Sequence, residues 1–91
     1  MEFPLFPFEV EGKKIVEMFH YPHENDKHLV LVRAIVEKGS HTEHVTWVYN
    51  ITFNGFSGGH YFDSELSAMS DFASRRGDII RLHCKDFSAN L

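Results

Sequence analysis

Apolar and polar residues alternate with a period of two along most of the chain, which is typical of β-strands. Residues 13–21 alternate in this way, and a Phe/Pro-rich leading segment, residues 1–10, joins them through the turn-forming pair Glu11-Gly12. The pattern predicts two strands connected by a tight turn, the first over 3–10 in the leading segment and the second over 13–21.

The segment 28–38 is apolar at both sets of alternating positions. A strand with one face in water alternates apolar with polar residues, so this segment is predicted to be a central strand that is covered on both faces. A loop is predicted over 39–43, followed by the clearest strand of the chain over 44–53. The apolar face of that strand consists of Val45, Trp47, Tyr49, Ile51 and Phe53.

The dipeptide Asn54-Gly55 follows this strand directly and suits a two-residue type I′ hairpin turn, which needs a positive φ at both central positions. Such a turn determines the pairing of the strands on either side of it. It predicts four cross-strand pairs on the aromatic face: Phe53 with Phe56, Ile51 with Gly58, Tyr49 with His60, and Trp47 with Phe62.

One amphipathic helix is predicted over 64–76. Asp63 or Ser64 suits the N-cap, and the pair Arg75-Arg76 before Gly77 would complement the helix dipole at the C-terminal end. Residues 79–82 have the pattern of a short closing strand, and 85–91 form a tail. The apolar helix residues that are expected to face the sheet are Leu66, Met69, Phe72 and Ala73.

The element order is therefore β-β-β-β-β-α-β. The sequence predicts a single α+β domain over 1–91, with an antiparallel sheet of five to six strands and one amphipathic helix packed on one face. Hydrophobic residues make up 43% of the chain and charged residues 24%, with a formal net charge of -4, which is the composition of a small acidic globular protein.

Nothing in the composition indicates a membrane or an oxidising compartment. The longest apolar runs are far shorter than a bilayer span, and the first residues include an acid and prolines where a signal peptide needs basic residues and an unbroken apolar stretch. Cys84 is the single cysteine, so no internal disulfide can form. These features predict a cytoplasmic protein without a membrane partner, and the interspersed charges disfavour nucleic-acid binding.

Residues 55–59 match the pattern G-x-S-x-G of serine hydrolases, with His60 directly after them. In those enzymes the serine lies at a sharp turn between a strand and a helix. Here a strand is predicted to follow, and simple alternation turns Ser57 and His60 to opposite faces. The glycines at 58 and 59 are instead expected to permit a bulge or the close packing of bulky neighbours. The sequence therefore predicts no catalytic site and no enzyme.

The chain contains seven histidines. Two pairs, His20 with His23 and His41 with His44, have the H-x-x-H spacing at which two imidazoles can share a metal ion when the backbone is helical or tightly turned. Both pairs are predicted near strand ends, where side chains three residues apart diverge. They are weak metal candidates, and no cofactor is predicted.

The apolar surface of the predicted sheet exceeds what the predicted helix can cover. A helix about 10 Å wide shields only part of one face of a sheet whose strands lie about 4.8 Å apart. Exposed apolar patches on small proteins mark interfaces with a second copy or with another protein. Unless Phe3, Leu5, Phe6 and Phe8 of the leading segment fold back over the uncovered face, the sequence predicts a protein complex, with a homodimer as its expected form. The predicted partner-binding residues are Phe3, Phe6, Tyr21, Trp47, Tyr49, His60 and Tyr61.

These features together predict a small acidic protein-protein interaction module. Its expected role is that of an inhibitor or a regulatory accessory protein that blocks a protein partner, for example a nucleic-acid-binding protein or a nuclease. Two alternatives stay open at this point. One is a single-stranded nucleic-acid-binding protein that stacks bases on the aromatic sheet face, and the other is a histidine-ligated metal protein.

Overall fold

The computed structural model describes residues 8–20, 29–52 and 55–83. Within these ranges the chain forms five antiparallel strands and one helix, so the predicted α+β class is confirmed. The elements are β1 (Phe8–Val10), β2 (Lys13–His20), β3 (Leu29–Lys38), β4 (His41–Asn50), β5 (Gly55–Phe62) and α1 (Glu65–His83).

The strands form one sheet in the order β1-β2-β3-β4-β5, so each strand pairs with its neighbours in sequence. β3 lies at the centre and residues 30–34 are buried, which confirms the prediction of a central strand covered on both faces. The tight turn between β1 and β2 is also confirmed, because Glu11 and Gly12 both have a positive φ.

β4 differs from its predicted bounds. It begins at His41, directly after a two-residue turn at Gly39-Ser40, and it ends at Asn50. The predicted loop over 39–43 is therefore too long, and the predicted strand over 44–53 is shifted by three residues. The reason is that β3 extends to Lys38 and offers ladder partners to the first residues of β4, which pair with it from His41 onwards.

The predicted hairpin turn at Asn54-Gly55 is wrong. Gly55 belongs to β5 and pairs with Asn50 of β4, so it is a ladder residue and not the second central residue of a two-residue turn. The predicted register is displaced with it, and Trp47 lies opposite a bulge at glycines 58 and 59 instead of opposite Phe62. The observed pairs are His44 with Phe62, Val45 with Tyr61, Thr46 with His60, Val48 with Ser57, Tyr49 with Phe56, and Asn50 with Gly55.

The space that Trp47 needs explains this register. An ideal Cβ on Gly59 would lie only 2.6 Å from the indole nitrogen of Trp47, so only a glycine fits beneath the ring. The prediction that the glycines permit close packing against Trp47 is confirmed. This packing between strands outweighs the turn preference of one dipeptide, which is a local and weaker signal.

α1 is longer than predicted, because it continues through Gly77 to His83. The predicted N-cap at Ser64 is confirmed, since its hydroxyl accepts a hydrogen bond from the backbone nitrogen of Ser67 at 3.3 Å. Residues 79–82 are helical, and the predicted closing strand is wrong. Burial of Ile79 offsets the cost of one helical glycine, which is about 1 kcal/mol.

The row of α1 that faces the sheet contains Ala68, Phe72 and Ile79, all of them buried. Phe72 and Ile79 pack against Leu31 of β3 and Phe19 of β2. Among the residues that were predicted to face the sheet, Phe72 does so. The others lie on the solvent side of the helix and are exposed: Leu66, Met69 and Ala73.

The opposite face of the sheet is buried within the single chain, where the sheet curls over it. Lys13 of β2 shows the curl, because its Nζ lies 5.0 Å from the centre of the Phe56 ring on β5. In a flat sheet these strands would lie about 14 Å apart. Among the described residues, the large apolar side chain of this face that stays exposed is Tyr61, so the broad exposed sheet surface that predicted a second chain is not found there. The buried residues of this face are Ile15, Val30, Val32, Ala34, Val45 and Trp47.

Candidate functional site

β5 contains a bulge, and at this bulge the strand contacts α1. Gly58 has a φ of 61°, a conformation that residues with a side chain rarely adopt, and the bulge inserts one residue between regular pairs of the β4–β5 ladder. The Gly58 carbonyl accepts a hydrogen bond of 2.7 Å from Nη1 of Arg75. The prediction that the glycines permit a bulge is confirmed.

The bulge also brings Ser57 and His60 to the same face of the sheet, because the extra residue changes the alternation between them. The prediction that these two side chains face opposite sides is therefore wrong. Within the described residues no hydrogen bond joins the Ser57 hydroxyl to His60. A strand continues to Phe62, whereas a nucleophile elbow would start a helix after the serine. The geometry does not build a serine nucleophile.

Asp71 and Arg75, one turn apart on α1, bind the fully buried Thr46 of β4. The Thr46 hydroxyl donates a hydrogen bond of 2.6 Å to Oδ2 of Asp71 and accepts one of 3.0 Å from Nη1 of Arg75. His60 Nδ1 lies 2.9 Å from the same Asp71 oxygen. The predicted role of Arg75 at a helix end is wrong, since it lies mid-helix and attaches α1 to the sheet.

Replacing Asp71 tests this attachment. Asp71→Ala is expected to lower the free energy of unfolding by about 1 to 3 kcal/mol, because the buried Thr46 hydroxyl loses its acceptor. Asp78→Ala is the matched control: Asp78 lies on the same helix, is exposed, and pairs only with the exposed Arg81, so about 0.5 kcal/mol or less is expected. Urea titrations followed by circular dichroism give both values, and equal losses would contradict a specific role for Asp71.

A second polar contact joins the start of α1 to the sheet. Arg33 of β3 is 8% exposed, and its Nε donates a hydrogen bond of 2.8 Å to Glu17 of β2. Its Nη1 lies 3.5 Å from Oε2 of Glu65 in the first turn of α1. Because a buried guanidinium must be paired, these carboxylates position the N-terminal turn over the sheet.

The aromatic cluster lies on the other face of the sheet. The ring centres of Trp47 and Phe56 are 4.9 Å apart, and those of Tyr49 and Phe56 are 4.7 Å apart. Burial raises the pKa of the Tyr49 hydroxyl, and the charge of Glu11 raises it further. Trp47 is only 6% exposed. Its ring is therefore a core group rather than part of an exposed base-stacking platform.

Three large apolar side chains of the described helix are exposed: Leu66 at 75%, Leu82 at 67% and Met69 at 43%. Leu82 lies apart near the C-terminal end of the helix, whereas Leu66 and Met69 lie next to each other on its solvent side. With 3.6 residues per turn, they share one stripe with Ala73, Gly77 and Ile80, about a third of a turn away from the row that faces the sheet. We call this stripe the outer row: Leu66, Met69, Ala73, Gly77 and Ile80.

The predicted partner-binding residues are dispersed in the structure. Trp47 is buried and Tyr49 is half-buried, while His60 and Tyr61 are exposed on β5, on opposite faces of the sheet. His60 lies opposite Thr46 and not opposite Tyr49 as predicted. The predicted residues Phe3, Phe6 and Tyr21 lie outside the described residues.

The predicted histidine pairs do not form a metal site where the structure describes them. His41 and His44 lie three residues apart in β4, so their side chains point to opposite faces. His41 is 3.6 Å from Asp63, and both are exposed. His20 is exposed at the end of β2, and His23 lies outside the described residues. No group of three or more potential metal ligands occurs in the described ranges.

Sequence reasoning missed the outer row and the Thr46 network. The signal for both was available, because the polar Asp71 and Arg75 lie at helical spacing with Ala68 and Phe72. That spacing indicates a sheet-facing row with polar positions at its margin. Leu66 and Met69 are more hydrophobic than the residues at that margin, and for this reason the predicted sheet-facing row includes the wrong side of the helix.

The described part of the chain is thus an α+β protein with a curled five-stranded antiparallel sheet and one C-terminal helix. The helix exposes an apolar stripe. No protein-family model matches the chain, and searches of the curated proteins and of the solved structures give no significant match. Among the described residues, no helix is long and apolar enough to cross a membrane.

Proposed function

We propose that this protein is a non-enzymatic protein-binding module that acts as an inhibitor or a regulatory accessory protein, and that it docks through the outer row of α1. One observation carries the proposal. Both faces of the sheet have buried cores, yet Leu66 and Met69 remain exposed side by side on the helix. Apolar side chains concentrated on one surface mark a protein interface.

The outer row suits docking better than the free edge of the sheet does. β5 is an edge strand of the described sheet, but the bulge at Gly58 interrupts its regular ladder, and Arg75 binds the carbonyl there. Bulges at edges oppose the addition of another strand. A continuous helix of 19 residues offers a regular surface without such an interruption.

Charge does not select a particular partner. Around the outer row α1 has both signs, with Glu65 near its start and Arg76, Asp78 and Arg81 in its second half. Apolar contact therefore contributes most of the proposed interaction, and the surface has no preference for a basic partner such as a nuclease.

Photo-crosslinking from single positions tests the proposal. With a photoreactive amino acid at position 66 or 69, the protein produced in its native cells is expected to form a covalent product with another polypeptide chain. Position 82 is the matched control, because Leu82 is also exposed on α1, at 67%, but lies outside the outer row. Absence of a product from 66 and 69, or equal products from 82, would contradict docking through the outer row.

A further inference from the structure

We infer that the chain docked on the outer row is a second copy of this protein, with the two α1 helices packed antiparallel about a two-fold axis at Ala73. This inference rests on the docking role proposed for the outer row. Its basis is the spacing of the row itself, which is symmetric: Leu66 and Ile80 lie seven residues before and after Ala73, and Met69 and Gly77 lie four before and after it.

In a dimer with a two-fold axis, this symmetric spacing makes the outer row of one copy complementary to the outer row of the other. Two antiparallel helices that cross at Ala73 place Leu66 opposite Ile80 of the second copy and Met69 opposite Gly77 of the second copy. The long thioether side chain then meets a position without a side chain, which is the fit of a knob into a hole. Ala73 meets itself at the axis, where a small residue lets the helices approach closely.

Gly77 is a second, independent argument for close packing of another helix on the outer row. A glycine inside a helix is unfavourable relative to alanine. Within the described residues nothing requires it, because its φ is not positive and an added Cβ would have no described atom within 4 Å. A close approach by another chain explains why the side chain is absent. In the β4–β5 hairpin, by contrast, Gly58 has a positive φ and Gly59 lies beneath Trp47, so these two glycines have reasons inside the chain.

The helix dipoles favour the antiparallel arrangement, because opposite directions bring the negative C-terminal end of one helix to the positive N-terminal end of the other. The charged side chains at the two ends add little, since Glu65 contacts Arg33 and Arg81 contacts Asp78 within the same chain.

The size of the row sets the strength of the pair. From residue 66 to 80 the helix rises about 21 Å, and the proposed dimer buries only this narrow stripe on each copy. The buried area is therefore smaller than that of a standard protein-protein interface. A dissociation constant of roughly 10 to 100 µM is therefore expected. Sedimentation equilibrium from about 5 µM to about 1 mM covers that range.

Three variants test the pair. Leu66→Gln is expected to raise the dissociation constant about tenfold or more, whereas Leu82→Gln, the control outside the row, should change it less than about twofold. Gly77→Ala is expected to weaken the pair about tenfold by filling the hole for Met69. In dilute, monomeric solution the same variant should shift the unfolding equilibrium about fourfold to fivefold toward the folded state, because alanine favours the helix.

These results separate the inference from the proposed function. A wild-type protein that stays monomeric at about 1 mM, or a Gly77→Ala variant that associates as strongly as wild type, overturns the second copy as the partner. If position 66 still crosslinks to a different protein, docking through the outer row stands. If the crosslinked product has the mass of two copies, and both Leu66→Gln and Gly77→Ala weaken the association while Leu82→Gln does not, docking through the outer row and the second copy as its partner are both supported.

Discussion

Phe72→Ala is expected to lower the free energy of unfolding by about 3 to 5 kcal/mol, the largest effect of any single substitution considered for this chain. Phe72 is 3% exposed and packs with Ile79 against Leu31 of the central strand. Truncation to alanine removes the main apolar contact between α1 and the sheet and leaves a cavity in a small core. The stability of a domain of this size is about 5 to 14 kcal/mol, so the loss is a large share of it.

Urea denaturation followed by circular dichroism measures the loss. Leu82→Ala serves as the control, because Leu82 is an apolar residue of the same helix that is mostly exposed, and a change of about 0.5 kcal/mol or less is expected. A loss at Phe72 of about 1 kcal/mol or less would mean that α1 is not held to the sheet as described.

Gly59→Ala is expected to lower the free energy of unfolding by about 2 to 3 kcal/mol. The added Cβ would lie 2.6 Å from Nε1 and 2.9 Å from Cδ1 of Trp47, and 2.8 Å from the Tyr61 hydroxyl. Trp47 is buried and part of the core, so its ring cannot move aside without disturbing its neighbours. The same substitution at Gly55, where a Cβ has no described atom within 4 Å, should have little effect.

A double-mutant cycle identifies the cause. In a Trp47→Leu background the contact that Gly59 avoids is reduced, so the additional loss from Gly59→Ala should fall below about 1 kcal/mol. The cycle uses thermal and urea unfolding of the four variants. Additive losses would show that the requirement for glycine comes from the backbone rather than from the indole, and they would contradict the packing reason given for the β4–β5 register.

The sequence predicts the architecture well where a pattern of apolar and polar residues extends over a long segment. The two-sided apolar pattern of 28–38 predicts a central strand, and β3 is that strand. Ser64 predicts the start of α1, because its side chain caps the helix locally. Both signals depend on neighbours in sequence, so they can be read without knowledge of the fold.

The errors arise where contacts between distant residues outweigh local preferences. Asn54-Gly55 favours a two-residue turn, but the register depends on the fit of Trp47 over Gly59. Gly77 suggests a helix end, but Ile79 gains burial on the sheet when the helix continues. Neither contact can be read from a window of a few residues.

The sequence pattern predicts an apolar binding surface on the sheet, whereas the surface that we propose from the structure lies on the helix. A surplus of apolar surface was expected on the sheet, and the curl of the sheet buries that face instead. The exposed apolar residues lie on the helix, where Leu66 and Met69 had been assigned to the core. The curl depends on contacts between β2 and β5, such as that of Lys13 with Phe56, which local patterns do not report.

The central claim is that α1 binds a second copy of the protein through its outer row, while the core on each face of the sheet stays buried. Two-dimensional ¹H–¹⁵N spectra recorded from about 20 µM to about 1 mM test it most directly, since they report each residue separately. The account predicts concentration-dependent shifts at Leu66, Met69, Ala73, Gly77 and Ile80, with the core strand β3 unchanged. Shifts centred on the sheet, or spectra that do not change with concentration, would contradict the proposed dimer through this surface.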